Sequence, residues 1–159
     1  MIIIGYQGIG KSTMAHLNEH YIDLESGCFW IQGKRADDWY KPYCKMAEHI
    51  SAQGHCVFVS SHEVVRNELK HSFEEVMCCT PALELKDVWI ERLKVRYEES
   101  QLEKDYKAWK NAEDRYEENI KEIVDSGYPM IWIKEIPYNL DTLILEAKFN
   151  EENKDGATK

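Results

Sequence analysis

Residues 5 to 12 read Gly5-Tyr6-Gln7-Gly8-Ile9-Gly10-Lys11-Ser12, with Thr13 next, and they follow directly on the apolar, β-rich run of residues 1–4. A glycine, four residues and then Gly-Lys-Ser, set between a strand and a helix, constrains this chain more than any other feature. Glycines let successive backbone N–H groups curl around phosphate oxygens, and a helix starting near Lys11 turns the positive end of its dipole toward them. Gly5, Gly8, Ile9 and Gly10 are therefore expected to form the phosphate cradle. Lys11 would bridge the β- and γ-phosphates, Ser12 would offer a hydroxyl to Mg²⁺, and Thr13 would contact the α-phosphate.

The rest of the chain agrees with a strand-helix alternation. Apolar runs at 21–24, 56–60, 75–80 and 130–133 (with Ile136) alternate with segments of helical period at 11–19, 37–53, 63–70, 85–99, 102–124 and from Asp141. This pattern predicts an α/β fold whose parallel sheet of five strands is covered by helices on both faces. One domain over residues 1–149 accommodates these elements, and the polar residues 150–159 are expected to be a flexible tail. The long helix is expected to bury a stripe of Leu102, Tyr106, Trp109, Tyr116, Ile120 and Ile123.

Composition narrows the partners. The 159 residues carry 20 Lys+Arg against 29 Asp+Glu, a formal charge of -9. A surface this acidic disfavours long nucleic acid, whose binding rests on neutralising many phosphates, but not a mononucleotide held by local charge. No apolar run is long enough for a membrane span. Cys28, Cys44, Cys56, Cys78 and Cys79 are odd in number and lack metal-ligand spacing, which predicts reduced thiols and a cytoplasmic protein. A monomer or homodimer acting on a small molecule is expected.

Three further segments carry candidate site residues. The sequence Ile22-Asp23-Leu24-Glu25-Ser26 puts Asp23 and Glu25 on one side of a strand near its carboxyl end, where open α/β sheets bind ligands. Either carboxylate is placed to hold Mg²⁺ or to take a proton from an attacking hydroxyl. Residues 28–43 interleave aromatic and basic side chains: Trp30, Trp39, Tyr40 and Tyr43 are candidates to stack a base, and Lys34, Arg35 and Lys41 to neutralise an acceptor phosphate. His62 and Arg66 follow the third apolar run on one helical face, Arg66 the stronger acceptor-binding candidate. In the fourth helix Arg92 and Arg96 fall on the same arc as Leu85, Val88, Trp89 and Leu93, so they are expected to point inward toward transferred phosphate charge.

Neither a base-reading Asn-Lys-x-Asp segment nor an Asp-Glu strand end is present, which disfavours a GTPase or a motor ATPase. The 5–12 loop, the acidic end of the second strand, Ser60-Ser61-His62 with Arg66, and the pair Arg92 and Arg96 instead resemble the small P-loop kinases. That group holds nucleoside monophosphate kinases, shikimate kinase and gluconate kinase. The likeness covers most of residues 1–137, and the loop is its specific part. It implies the three-layer P-loop NTPase fold with strand order 2-3-1-4-5, acceptors bound opposite the loop, and a helical lid near 85–125 bearing the arginines. By the same likeness Asp23 serves metal or base and Glu25 the acceptor. The expected activity is Mg²⁺-dependent transfer of the γ-phosphoryl of ATP to a small acceptor, a ribo- or deoxynucleoside monophosphate before a hydroxyl acceptor such as a nucleoside, sugar acid or modified nucleobase. A protein that binds nucleotide without transfer, as sensor or sequestering module, is the rival of a different class.

Overall fold

Ile2, Ile3 and Ile4 are fully buried, and burial at three successive positions marks a strand covered on both faces. In the computed structural model, which describes residues 1–32 and 34–156 without the side chains of Trp30, Ile31, Glu152 and residues 154–156, this strand is β1 (Ile2–Gly5). It lies at the centre of a five-stranded, all-parallel sheet. Its neighbours are β5 (Cys56–Ser60) and β6 (Val76–Pro81), with Ile3 opposite Phe58 on one side and Met77 on the other. β2 (Tyr21–Asp23) flanks β5, and β7 (Met130–Ile133) flanks β6.

The order along the sheet is β2-β5-β1-β6-β7, which departs from 2-3-1-4-5 in its labels but is that order when only the five strands of this sheet are counted along the chain. The difference comes from an antiparallel pair that the sequence reading did not contain: β3 (Trp30–Ile31) and β4 (Lys34–Arg35), inserted after β2 as a separate two-stranded sheet. Strands two residues long are too short to show a period of two, so this stretch reads as loop.

Helix α1 (Lys11–Leu17) follows β1 directly. α2 (Tyr40–Ala52) begins three residues later than expected, which places Pro42 in its first turn, where a missing N–H costs nothing. α3 (Glu63–Glu68) continues as a 3-10 turn to His71, and α4 (Lys86–Ser100) and α5 (Glu103–Asp125) pack against each other. α6 (Leu140–Gly156) is longer than expected: it carries residues 150–156, placed in a flexible tail by sequence, while 157–159 lie outside the described residues.

The stripe expected on α5 is only half right. Tyr116, Ile120 and Ile123 are buried, but Leu102 and Tyr106 are exposed, and Asp105 and Ala112 take the inner positions. Arg115 has non-helical dihedrals (φ -138°, ψ 25°), so the helix is kinked there, while the buried residues before and after it stay on one arc. On α4 Trp89 and Leu93 are buried while Val88 is exposed. All five thiols are free; Cys44, Cys56, Cys78 and Cys79 are buried in the core, and burial pushes Cys56 up to about 11 and the other three up to about 12. Among the described residues no helix is long and apolar enough to cross a membrane.

Candidate functional site

The 5–12 loop connects the end of β1 to α1 and is held from three directions. Trp89 Nε1 donates to Gln7 O at 3.0 Å, Tyr138 OH donates to Ile9 O at 2.9 Å, and Gln7 Nε2 donates to Ala108 O at 2.8 Å. Gly8 adopts φ +84°, and a Cβ there would stand 2.9 Å from Leu93 Cδ2 and 3.2 Å from Trp89 Nε1. Only glycine fits both the dihedral and the close approach of α4. Gly10, at φ 94°, turns the chain into α1. None of the three anchors, Trp89, Tyr138 or Gln7, was singled out for this role by sequence, because each acts through long-range packing.

Lys11 Nζ donates to the loop's own carbonyls, Gly5 O at 3.1 Å and Tyr6 O at 3.2 Å. Burial holds its ammonium below the usual lysine value, an effect that nearby Asp23 and Glu25 partly offset. Beside it, Ser12 Oγ donates to Asp23 Oδ2 at 2.5 Å. The hydroxyl at the start of α1 and the carboxylate at the end of β2 thus meet. Thr13 is exposed on the first turn of α1.

A cleft of about 840 Å³ opens at the carboxyl ends of β1 and β5, lined by the loop, by Glu25 and Ser26 beyond β2, by Ser60 to Glu63, and by one face of α5. Of the candidate acceptor residues, Glu25, Arg35 and Arg66 line it, together with Lys11 and His62. Arg35 donates from Nη2 to Ser26 Oγ at 2.9 Å and lies 4.3 Å from the Trp39 ring centroid. Arg66 is 6% exposed; Nη1 donates to Ser61 O, and Nη2 is 3.7 Å from Glu122 Oε2. Lys104 reaches across to Glu25 at 3.6 Å. Lys11, Arg35, Arg66, Lys104 and Lys107 line this cleft together with the carboxylates of Glu25, Glu63, Glu103 and Glu122, and Arg66, Lys104 and Lys107 pair with three of these.

The aromatic segment does other work. Tyr43 is fully buried, donating to Leu24 O at 2.7 Å and accepting from Ser60 N at 2.9 Å, so it ties the ends of β2 and β5 together. Tyr40 packs against the core, Trp39 lies between Arg35 and His62, and Lys34 is exposed. The Trp30 side chain lies outside the described residues.

His62 Nδ1 is 2.9 Å from Ser60 Oγ. Partial desolvation of the ring within the cleft and the positive charges of Arg35, Arg66 and Lys11 hold its imidazole below the usual value of 6.5. The unfolded chain therefore binds this proton more readily than the folded one. Stability from this residue is present above pH 6.5 and falls as the pH drops through that value. Urea midpoints at pH 5.5 and 7.5 are expected to differ less for His62→Gln than for the wild type; an equal difference would show that His62 does not contribute.

The two α4 arginines are exposed rather than inward-facing, because their stems leave the buried arc held by Trp89 and Leu93. Arg92 lies 5.5 Å from the Trp89 ring centroid and 5.6 Å from that of Tyr138, both of which hold the loop. Arg96 Nη2 pairs with Asp105 Oδ1 at 2.5 Å, and Ser100 Oγ donates to Asp105 Oδ2 at 2.6 Å. Asp105 is 3% exposed and Arg96 46%, so the two partners are unequal. Arg96→Ala strands a buried carboxylate and is expected to cost about 2 kcal/mol of stability; Asp105→Asn leaves a guanidinium that water can reach and is expected to cost about 1 kcal/mol. Chemical denaturation of the two variants checks the order, and the reverse order would refute this account of the pair.

No protein-family profile and no curated protein matches the chain.

Proposed function

We propose that this chain is a Mg²⁺-dependent phosphotransferase of the P-loop kind, with the three-layer fold of small P-loop kinases, moving the γ-phosphoryl of ATP to a small anionic acceptor, first a ribo- or deoxynucleoside monophosphate. The observation that carries the reading is the meeting of Ser12 Oγ and Asp23 Oδ2 at 2.5 Å beside Lys11. A hydroxyl and a carboxylate are hard oxygen ligands that suit Mg²⁺, which keeps several waters and takes phosphate oxygens as its other ligands. When bound, the ion would neutralise phosphate charge.

In this reading the glycine loop accepts the phosphates and Lys11 exchanges its two carbonyl partners for phosphate oxygens. Arg92 and Arg96 stand outside the cleft, so they supply charge to the transferring group only when the α4–α5 hairpin, taken as the lid, closes and Arg96 exchanges Asp105 for phosphate. Arg35 and Arg66 hold the acceptor phosphate in the cleft. A phosphate nucleophile at neutral pH needs no general base, so Asp23 is free to serve the metal. Glu25 faces the same cleft and is 53% exposed, which leaves it available as base should the acceptor be a hydroxyl. A cytoplasmic protein, monomeric or a homodimer, with reduced thiols is part of the proposal.

The test is ATP consumption with product mass across ribo- and deoxynucleoside monophosphates, nucleosides and small sugar acids in Mg²⁺. A diphosphate from one monophosphate supports the reading. Turnover only with a hydroxyl acceptor moves the chemistry to Glu25, and tight ATP binding without any product replaces the kinase with a sensor.

A further inference from the structure

Three side-chain amides meet on the α5 wall of the cleft. Asn111 Oδ1 accepts from Asn119 Nδ2 at 2.8 Å and from Gln7 Nε2 at 3.4 Å. Residues eight apart on a straight helix are separated by about 12 Å along its axis, too far for two short side chains to bond. The kink at Arg115 lies between them and brings them together. With these bonds made, Asn111 Nδ2 remains as a donor and Asn119 Oδ1 as an acceptor, on two side chains that touch. The amides of Asn119 and Gln7 also reach toward the hydroxyl of Tyr6, a residue 2% exposed; among the described residues this hydroxyl makes no hydrogen bond of ordinary geometry. A buried polar group without a partner costs stability unless something completes it. Ala108 and Ile123 supply apolar surface beside these groups, and all of them line the cleft that holds Lys11 and Arg66.

Gln7 anchors the loop through Ala108 O, but a bond between exposed amides adds little to stability, so the Asn111–Asn119 pair has no evident structural return. A neutral donor beside a neutral acceptor, against apolar surface, is the complement of a nucleobase edge, on which acceptor and donor groups also stand side by side. We infer that the Asn111–Asn119 pair, with Tyr6, is the base-reading end of the acceptor cleft and that the acceptor is a nucleotide. This rests on the reading of the cleft as an acceptor site, and it transfers base recognition from the 28–43 aromatic segment to α5.

The test is calorimetric titration of the full chain with AMP, CMP, GMP, UMP and dTMP, with ribose 5-phosphate as the baseless probe, repeated on Asn111→Ala, Asn119→Ala and the size-preserving Asn119→Asp. Melting curves of each variant verify folding. At least one nucleotide is expected to bind tenfold or more tightly than ribose 5-phosphate. Each alanine variant is expected to lose about tenfold of that preference, and Asn119→Asp to reorder the bases. Equal binding of nucleotides and ribose 5-phosphate, or wild-type preference in both alanine variants, overturns the inference. Base-selective binding without phosphoryl transfer removes the kinase reading and keeps the base site. Transfer to ribose 5-phosphate as efficient as to every nucleotide does the opposite.

Discussion

Lys11→Ala is expected to lower kcat/KM for phosphoryl transfer by about 30- to 1000-fold, the equivalent of about 2 to 4 kcal/mol lost on removing one preorganised electrostatic donor. The size follows from its surroundings. The ammonium is desolvated, so its field on a phosphate is little screened, and among the described residues its hydrogen-bond partners are two carbonyls, which a phosphate oxygen readily replaces. The same desolvation makes a second, opposite expectation. A lysine held below its usual value loses free energy on burial of its charge, so Lys11→Ala should melt at the wild-type temperature or slightly above. Steady-state kinetics paired with a thermal melt checks both. Near-normal turnover would remove the mechanism; a large drop in melting temperature would mean that Lys11 is chiefly a structural residue.

The parts of this molecule that sequence reveals are those whose cause is local. The 5–12 loop is legible because glycine spacing dictates backbone shape within eight residues. The approach of Ser12 to Asp23 follows from one strand end facing one helix start. What is not legible depends on distant partners. The α5 stripe fails at its start: Leu102 is the N-cap outside the helix and Tyr106 sits at the rim of the buried arc, while Asp105 and Ala112, on the same arc as Tyr116 and Ile123, are a charged and a small residue that a hydrophobic pattern passes over. The kink at Arg115 lies between Asn111 and Asn119, which bond although eight positions apart, a contact invisible to a period of 3.6. Periodicity also misplaces Arg92 and Arg96: it gives the direction of a Cα–Cβ bond, while a long stem carries the guanidinium to an aromatic ring or to Asp105. The aromatic segment shows the converse error, since Tyr43 has the composition of a base platform but spends its hydroxyl on Leu24 and Ser60.

Trp89 is where fold and loop meet, and its replacement is expected to have the largest effect on stability. The ring is fully buried, near-parallel to Tyr138 with centroids 6.2 Å apart, and its Nε1 donates to Gln7 O. Trp89→Ala opens a cavity and is expected to cost about 3 to 5 kcal/mol, a large share of the roughly 5 to 15 kcal/mol that holds a domain folded. At this chain length that corresponds to a melting temperature lower by about 6 to 20 °C. Trp89→Phe separates packing from hydrogen bonding: it keeps most of the ring but frees Gln7 O, at a cost of about 1 kcal/mol. Because Gln7 lies between Tyr6 and Gly8 in the loop, the phenylalanine variant is expected to bind ATP several-fold more weakly while melting within a few degrees of the wild type. Wild-type affinity in Trp89→Phe would mean that the strand and Tyr138 alone fix the loop. Weakened binding with preserved melting would mean that the indole N–H sets the loop's shape, and that α4, through Trp89 and Arg92 together, couples lid position to the nucleotide.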